Sequence, residues 1–173
     1  MEKNTCTDCI KDETARALWE VGNTIRCIPD ELWDKPCGGM PLWKHVYHML
    51  HSLDQWYINP RVYTQPPFHT ENLNSLDILG NGHLTRNEIT RYFENVQKKI
   101  TAYDDSLSDS VLLEKPENCE WTRFTLIMAQ HRHLHTHMGI IMGFIIEYSG
   151  EWPKTLGLER NIPEQDTGKG IFF

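Results

Sequence analysis

The chain has 173 residues and a mass of 20.3 kDa, the size of one ordinary domain. Hydrophobic residues make up 39% and charged residues 24%, which excludes a disordered chain, and no apolar run approaches the ~20 residues of a membrane span. Lys and Arg number 17 against 24 Asp and Glu, and the resulting net charge of -7 speaks against binding a nucleic-acid backbone.

Five cysteines, an odd number, and a start without an apolar leader lead to the expectation of a reducing cytoplasm. Cys6-Thr-Asp-Cys9 has CxxC spacing. No second CxxC and no strand–turn–helix pattern accompany it, so it reads as two incidental thiols beside a frayed terminus. A first helix is predicted from about Thr14 to Ile28, with Leu18, Val21, Ile25 and Ile28 at steps of three and four. Pro29 and Pro36 punctuate the next stretch. Cys37-Gly-Gly-Met-Pro41 reads as a turn into a second helix with Pro41 at its first position, where a missing N–H costs nothing. Leu42, Val46, Met49, Leu50, Leu53, Trp56 and Tyr57 form its apolar stripe, and Asn59-Pro60 ends it.

The segment from Asn59 to Leu84 is too long for a passive turn. It carries Tyr63, Phe68, Leu73, Leu76 and Ile78, so it is expected to fold back over one end of the helices. Thr85-Arg-Asn-Glu88 is a capping box, flanked by Leu84 and Ile89 at the two positions of a hydrophobic staple. Ile89, Tyr92, Phe93, Val96, Ile100 and Tyr103 continue that third helix. A polar segment, Asp104 to Pro116, separates it from a fourth helix predicted from about Cys119 to Tyr148, whose most apolar stripe is Ile127, Leu134, Met138, Ile141 and Ile145. The tail, 149–173, is rich in Gly, Pro and charge and is expected to be irregular. No stretch alternates with period two, so no sheet is expected. The pattern predicts one all-α domain: an antiparallel four-helix bundle, core helices at about 14–148, with a long loop between helices two and three.

Nine histidines is a high count, and they cluster. The second helix carries His45, His48 and His51; the fourth carries His131, His133, His135 and His137. Residues four apart share a helix face, so His131/His135 and His133/His137 are two HxxxH pairs. Such a pair can aim two imidazole nitrogens at one metal ion. One more histidine from a facing helix makes a three-His site that keeps positions open for water or substrate. Periodicity does not choose between the pairs, which flank the core stripe about equally, and His45 lies nearer the apolar centre of the second helix than His48 does. The residues themselves specify a site between helices two and four.

Three segments resemble the DinB-like (DinB/YfiT) superfamily of metal-binding four-helix bundles, which includes thiol S-transferases. Trp43-Lys-His-Val-Tyr-His48, followed by Asp54, is similar to the family's helix-two metal motif. Leu84-Thr85 with Glu88 and Tyr92 resembles the start of its third helix, and Arg132-His133-Leu-His-Thr-His137-Met-Gly139 its helix-four pattern RHxxxHxG. The likeness spans roughly Thr14 to Tyr148. It implies His48, His133 and His137 as ligands of a divalent metal ion, zinc or nickel, with His45, His51, His131 and His135 as neighbours. Many members carry Gln after the final HxG; here Ile140 stands in its place.

The resemblance implies a metal-dependent enzyme, a thiol S-transferase or a hydrolase, in which a low-molecular-weight thiol is activated against an electrophile in detoxification. The other class is a metal- or small-ligand-binding stress-response protein without turnover. Imidazole alone suits zinc, nickel, copper or iron. Asp54 and Glu147 are candidate general bases. Neither a nucleic-acid nor a membrane partner is expected. Family members commonly pair, and Leu126, Phe144 and Tyr148 leave the fourth helix apolar nearly all round, so a homodimer is expected.

Overall fold

The computed structural model describes residues 5–158, 160–163 and 168–173. The start of the chain, where no leader was expected, and part of the tail expected to be irregular lie outside the described residues. The protein is mostly helical. Four long helices, α1 (Cys6–Cys27), α2 (Leu42–Trp56), α3 (Arg86–Ser106) and α5 (Arg123–Ser149), are joined by a short helix α4 (Asp109–Leu112) and a two-stranded hairpin, β1 (Pro36–Cys37) with β2 (Met40–Pro41). No helix among the described residues is long and apolar enough to cross a membrane.

Each long helix buries the stripe its sequence displays. Val21, Val46, Met49, Leu50, Ile89, Ile127, Ile141 and Ile145 are fully buried in one shared core. Close packing of such side chains is the main stabilising term, at roughly 1.5–3 kcal/mol for each large apolar side chain. The capping box forms as expected. Glu88 N donates to Thr85 Oγ1 at 3.3 Å, Thr85 N donates to Glu88 Oε2 at 2.8 Å, and the staple residues Leu84 and Ile89 are both buried.

Several expected boundaries move. Helix α1 starts at Cys6, well before Thr14, because Thr5 is a true N-cap that accepts from Asp8 N at 3.2 Å. The carboxylate of Asp109 in α4 also takes the N–H groups of Cys6 and Thr7. That anchor lies about a hundred residues away in the chain, so no local pattern announces it. The CxxC pair therefore occupies the first turn of a helix, with both thiols exposed. Helix α5 starts at Arg123, not Cys119, with Thr122 as its cap, and Gly150 at φ 75° ends it in the left-handed region that favours glycine. The segment Asp104 to Pro116 is not all connector: α3 runs to Ser106 and α4 follows. The hairpin overturns the expectation of no strands. It turns through Gly38 and Gly39 at φ 57° and 91°, and two residues a side are too few to register as alternation.

The expected antiparallel arrangement holds for only two of the neighbouring pairs. In α2 and α5, His45 lies beside Phe144 and Trp56 beside Trp121, so these run antiparallel. So do α1 and α3, with Lys11 near Asp105 at one end and Arg86 on the Ile25 carbonyl at the other. Helices α2 and α3 run parallel instead: Tyr47 meets Tyr92, Asp54 meets Lys99 and Tyr57 meets Asp104. Helices α1 and α5 are likewise parallel, with Thr14 on His131 and Asn23 reaching Lys154 beyond the end of α5. Because α2 and α3 point the same way, the chain between them must return along α2. The long loop accordingly lies lengthwise on α2 rather than over one end: Gln65 bonds His51, His69 bonds Tyr47, Asn74 bonds His48, and Ile78 and Leu79 bond Lys44.

Two of the three residues that suggested pairing are used within the chain. Leu126 is buried, and Phe144 packs beside His45, while Tyr148 is exposed under Lys35. The exposed apolar side chains of α5 also include Phe124, Met128 and Ile140.

The tail is irregular in path but is fastened. Asn23, 0% exposed on α1, donates to the carbonyls of Lys154 and Ile171 and accepts from Ile171 N at 2.8 Å. Leu156 N donates to Glu20 Oε1, and Pro153 bridges Phe172. Replacing Asn23 with Ala removes these bonds and leaves the Lys154 carbonyl and the Ile171 N–H without their Asn23 partner. Asn23→Ala is expected to lose about 1–3 kcal/mol in urea unfolding and to expose 150–158 and 168–173 to limited proteolysis. Unchanged stability with a still-protected tail would show that the clip is not what holds it.

Candidate metal centre

Helix α2 lies between α5, α3 and the returning loop, so it is buried along most of its length. Its three histidines, three residues apart, fan around the helix and meet different partners. His45 Nε2 donates to the Cys37 carbonyl at 2.7 Å and its ring lies against Phe144. His51 Nε2 donates to Gln65 Oε1 at 2.6 Å and stacks on His69. Of the three, His48 faces the histidines of α5.

On α5 the two pairs part company. His131 turns to α1, where Nε2 bonds Thr14 Oγ1 at 3.0 Å; His135 is exposed, stacks on His131 and donates from Nδ1 to its carbonyl. His133 and His137 turn to α2. Their ring centroids are 4.4 Å apart and lie 5.4 and 4.5 Å from that of His48. One ring nitrogen from each of the three falls within 4.8 Å of the others, close enough to hold one metal ion. The structure thus brings together the three histidines that the family likeness implied and keeps His45, His51, His131 and His135 out of the cluster.

The chemistry of the donors fits a cation. His48 Nδ1 donates to the Asn74 carbonyl at 2.7 Å, which fixes the tautomer and leaves Nε2 as its free lone pair. The Nδ1 atoms of His133 and His137 are buried without a hydrogen-bond partner among the described residues. Burial holds His133 below the usual imidazole range, and burial together with the neighbouring histidines pushes His137 down to about 4. Near neutral pH these two rings are uncharged, the form that ligates metal. The Asn74 carbonyl had no signal in the sequence, because any residue type can supply a backbone oxygen.

The candidate bases are elsewhere. The Asp54 carboxylate receives the Tyr92 hydroxyl at 2.9 Å and Lys99 Nζ at 2.6 Å, on the side of α3. Glu147 is exposed on α5 and no carboxylate joins the three-histidine cluster among the described residues. Ile140 is exposed to solvent. Two clefts between the helices and the tail also avoid the cluster. One of about 790 Å³ lies between α1, α3 and the tail, and one of about 470 Å³ between α1, α5 and the tail.

Fold and site together define a mostly helical protein with three convergent histidines able to hold a metal ion. No protein family, curated protein or solved structure compared with this chain matches it.

The geometry makes two predictions. Metal content of untagged protein, measured by elemental analysis, should be lost in His48→Ala, His133→Ala and His137→Ala and kept in His45→Ala, His131→Ala and His135→Ala. Loss in the second set with retention in the first would refute the assignment. The second prediction concerns acid stability of the metal-free protein. His137 has an unfolded value near 6.5 and a folded value of about 4. Between these the unfolded chain binds the extra proton, so this residue makes stability fall as pH drops from 6.5 toward 4. Asp104, raised to about 6 by burial, acts with the opposite sign over part of that range. The informative measurement is therefore the difference between variants: His137→Gln should lose less stability than the parent between pH 7 and pH 5 in urea titrations.

Proposed function

We propose that this chain is a DinB-like four-helix bundle in which His48, His133 and His137 bind a divalent ion, zinc or nickel, and that it transfers a low-molecular-weight thiol to an electrophile. The convergence of the three motif histidines on one point carries the reading. The order of the three motifs along the chain, the capped start of α3 and the packing of four long helices around one core support the family assignment.

A divalent ion bound by neutral imidazoles supplies a Lewis acid that lowers the pKa of a coordinated thiol or water toward neutrality. The protein's own part is positional. His48 is held in one tautomer by Asn74, while burial keeps His133 and His137 uncharged. With three protein ligands, further coordination positions remain for a small molecule, and the half-buried rings leave access from solvent. No carboxylate stands at the cluster, among the described residues, to take a proton. This favours a thiol, which is intrinsically more acidic than water and so ionises more readily on a coordinated ion without a separate base.

The position of these two clefts away from the histidines favours a second reading, in which the centre holds a metal or small ligand without turnover. A transfer assay with several thiols and a chromogenic electrophile separates the two. The expected result is turnover that disappears with EDTA, returns with zinc or nickel and is absent in His133→Ala. A fully metal-loaded protein inert with every thiol would leave the binding reading.

A further inference from the structure

Lys44 has an environment that the proposed chemistry does not use. It stands one turn before His48 on α2 and is 0% exposed. No carboxylate pairs with it among the described residues. Its ammonium is held instead by the backbone carbonyls of Ile78 and Leu79 in the returning loop. Burying an ammonium with only neutral acceptors is costly, and any apolar side chain would fill the same space without that cost. A sequence that keeps a lysine there is using its donors.

The same short stretch of loop serves His48. Asn74 gives its carbonyl to His48 Nδ1, and Ile78 stands only four residues later. The intervening chain is folded tightly. Ser75 N donates to the Asn72 carbonyl, Ser75 Oγ accepts from the N–H groups of Asp77 and Ile78, and Leu73 is buried beneath. Asn72 at φ 62° and Gly80 at φ 69° both sit in the left-handed region, and they bracket the stretch. It is therefore a single internally bonded piece with two attachments to α2, Lys44 at one end and His48 at the other.

We propose that Lys44 is a positioning residue of the metal centre: by latching loop residues 72–79 onto α2 it seats the Asn74 carbonyl on His48 and so couples closure of the loop to metal binding. The inference rests on the reading of His48, His133 and His137 as ligands. Coupling of this kind is reciprocal. A latched loop raises metal affinity through the oriented imidazole, and a bound metal steadies the loop through the same hydrogen bond. Partners that orient a ligating histidine typically change affinity by about 10–100-fold when lost.

Cobalt(II), whose visible spectrum reports ligand geometry, is the probe, on the full chain. Lys44→Met keeps the apolar stem and removes the donors. It should bind cobalt about 10–100-fold more weakly, with an altered spectrum. In the parent protein, metal should slow amide exchange at 72–80; in Lys44→Met that protection should be absent while exchange in α1 and α3 is unchanged. Ser75→Ala, on the loop side, should shift affinity in the same direction by less, and serves if Lys44→Met does not fold. Parental affinity and spectrum in Lys44→Met, or in Ser75→Ala should that stand in for it, would overturn the latch while leaving the three-histidine site intact. Failure of the parent itself to bind cobalt would overturn the site, and the latch with it.

Discussion

The parallel course of α2 and α3 constrains much of this molecule. A helix of 15 residues spans about 22 Å, and the chain leaving its end must travel back that distance before a parallel neighbour can begin. Loops of this length are uncommon unless they do something. Here the return path covers α2 from Gln65, opposite His51, to Leu79, opposite Lys44. Backbone carbonyls in a loop need donors when they are covered, and α2 supplies them from His48 and Lys44. Lys44, His48 and His51, polar residues on a helix with a long apolar stripe, are thus explained by the path of the chain above it.

A second polar system ties all four long helices together at one end. Thr14 of α1 bonds Tyr57, just past the end of α2, and His131 of α5; Tyr57 in turn donates to Asp104 of α3 at 3.1 Å. Burial raises the Asp104 carboxyl to about 6 and pushes Tyr57 well above its ordinary range. A buried network of this kind fixes register as well as contributing energy, because any slip leaves a donor or acceptor unpaired. It also accounts for His131. That residue belongs to the interior joint between α5 and α1, which is why its HxxxH pair, although equal in spacing to the other, does not meet α2.

The two histidine pairs show where sequence reading succeeds and stops. The i,i+4 spacing, the core stripe between the pairs and the capped start of α3 are local properties, set within a few turns of one helix, and all are present in the folded protein. The same is true of the buried stripes from Leu42 to Leu53 and from Ile127 to Ile145. The missed features are those made by distant partners. Helix α1 begins early because Thr5 and the remote Asp109 satisfy its first N–H groups. The described part of the tail is fastened because Asn23 and Glu20 on α1 hold its backbone.

By itself the sequence determined the helical class, the four amphipathic stripes, the capping of α3 and the supply of histidines in metal-binding spacing. Residue likeness to a known family narrowed the ligand set to His48, His133 and His137. Only the tertiary structure decided that those three meet. A periodic pattern is symmetric about its apolar stripe, so it cannot say which flank of α5 receives α2 and which receives α1. That choice comes from the relative directions of the helices and from contacts between residues far apart in the chain, including the Thr14–His131 bond that holds the other pair on the opposite side.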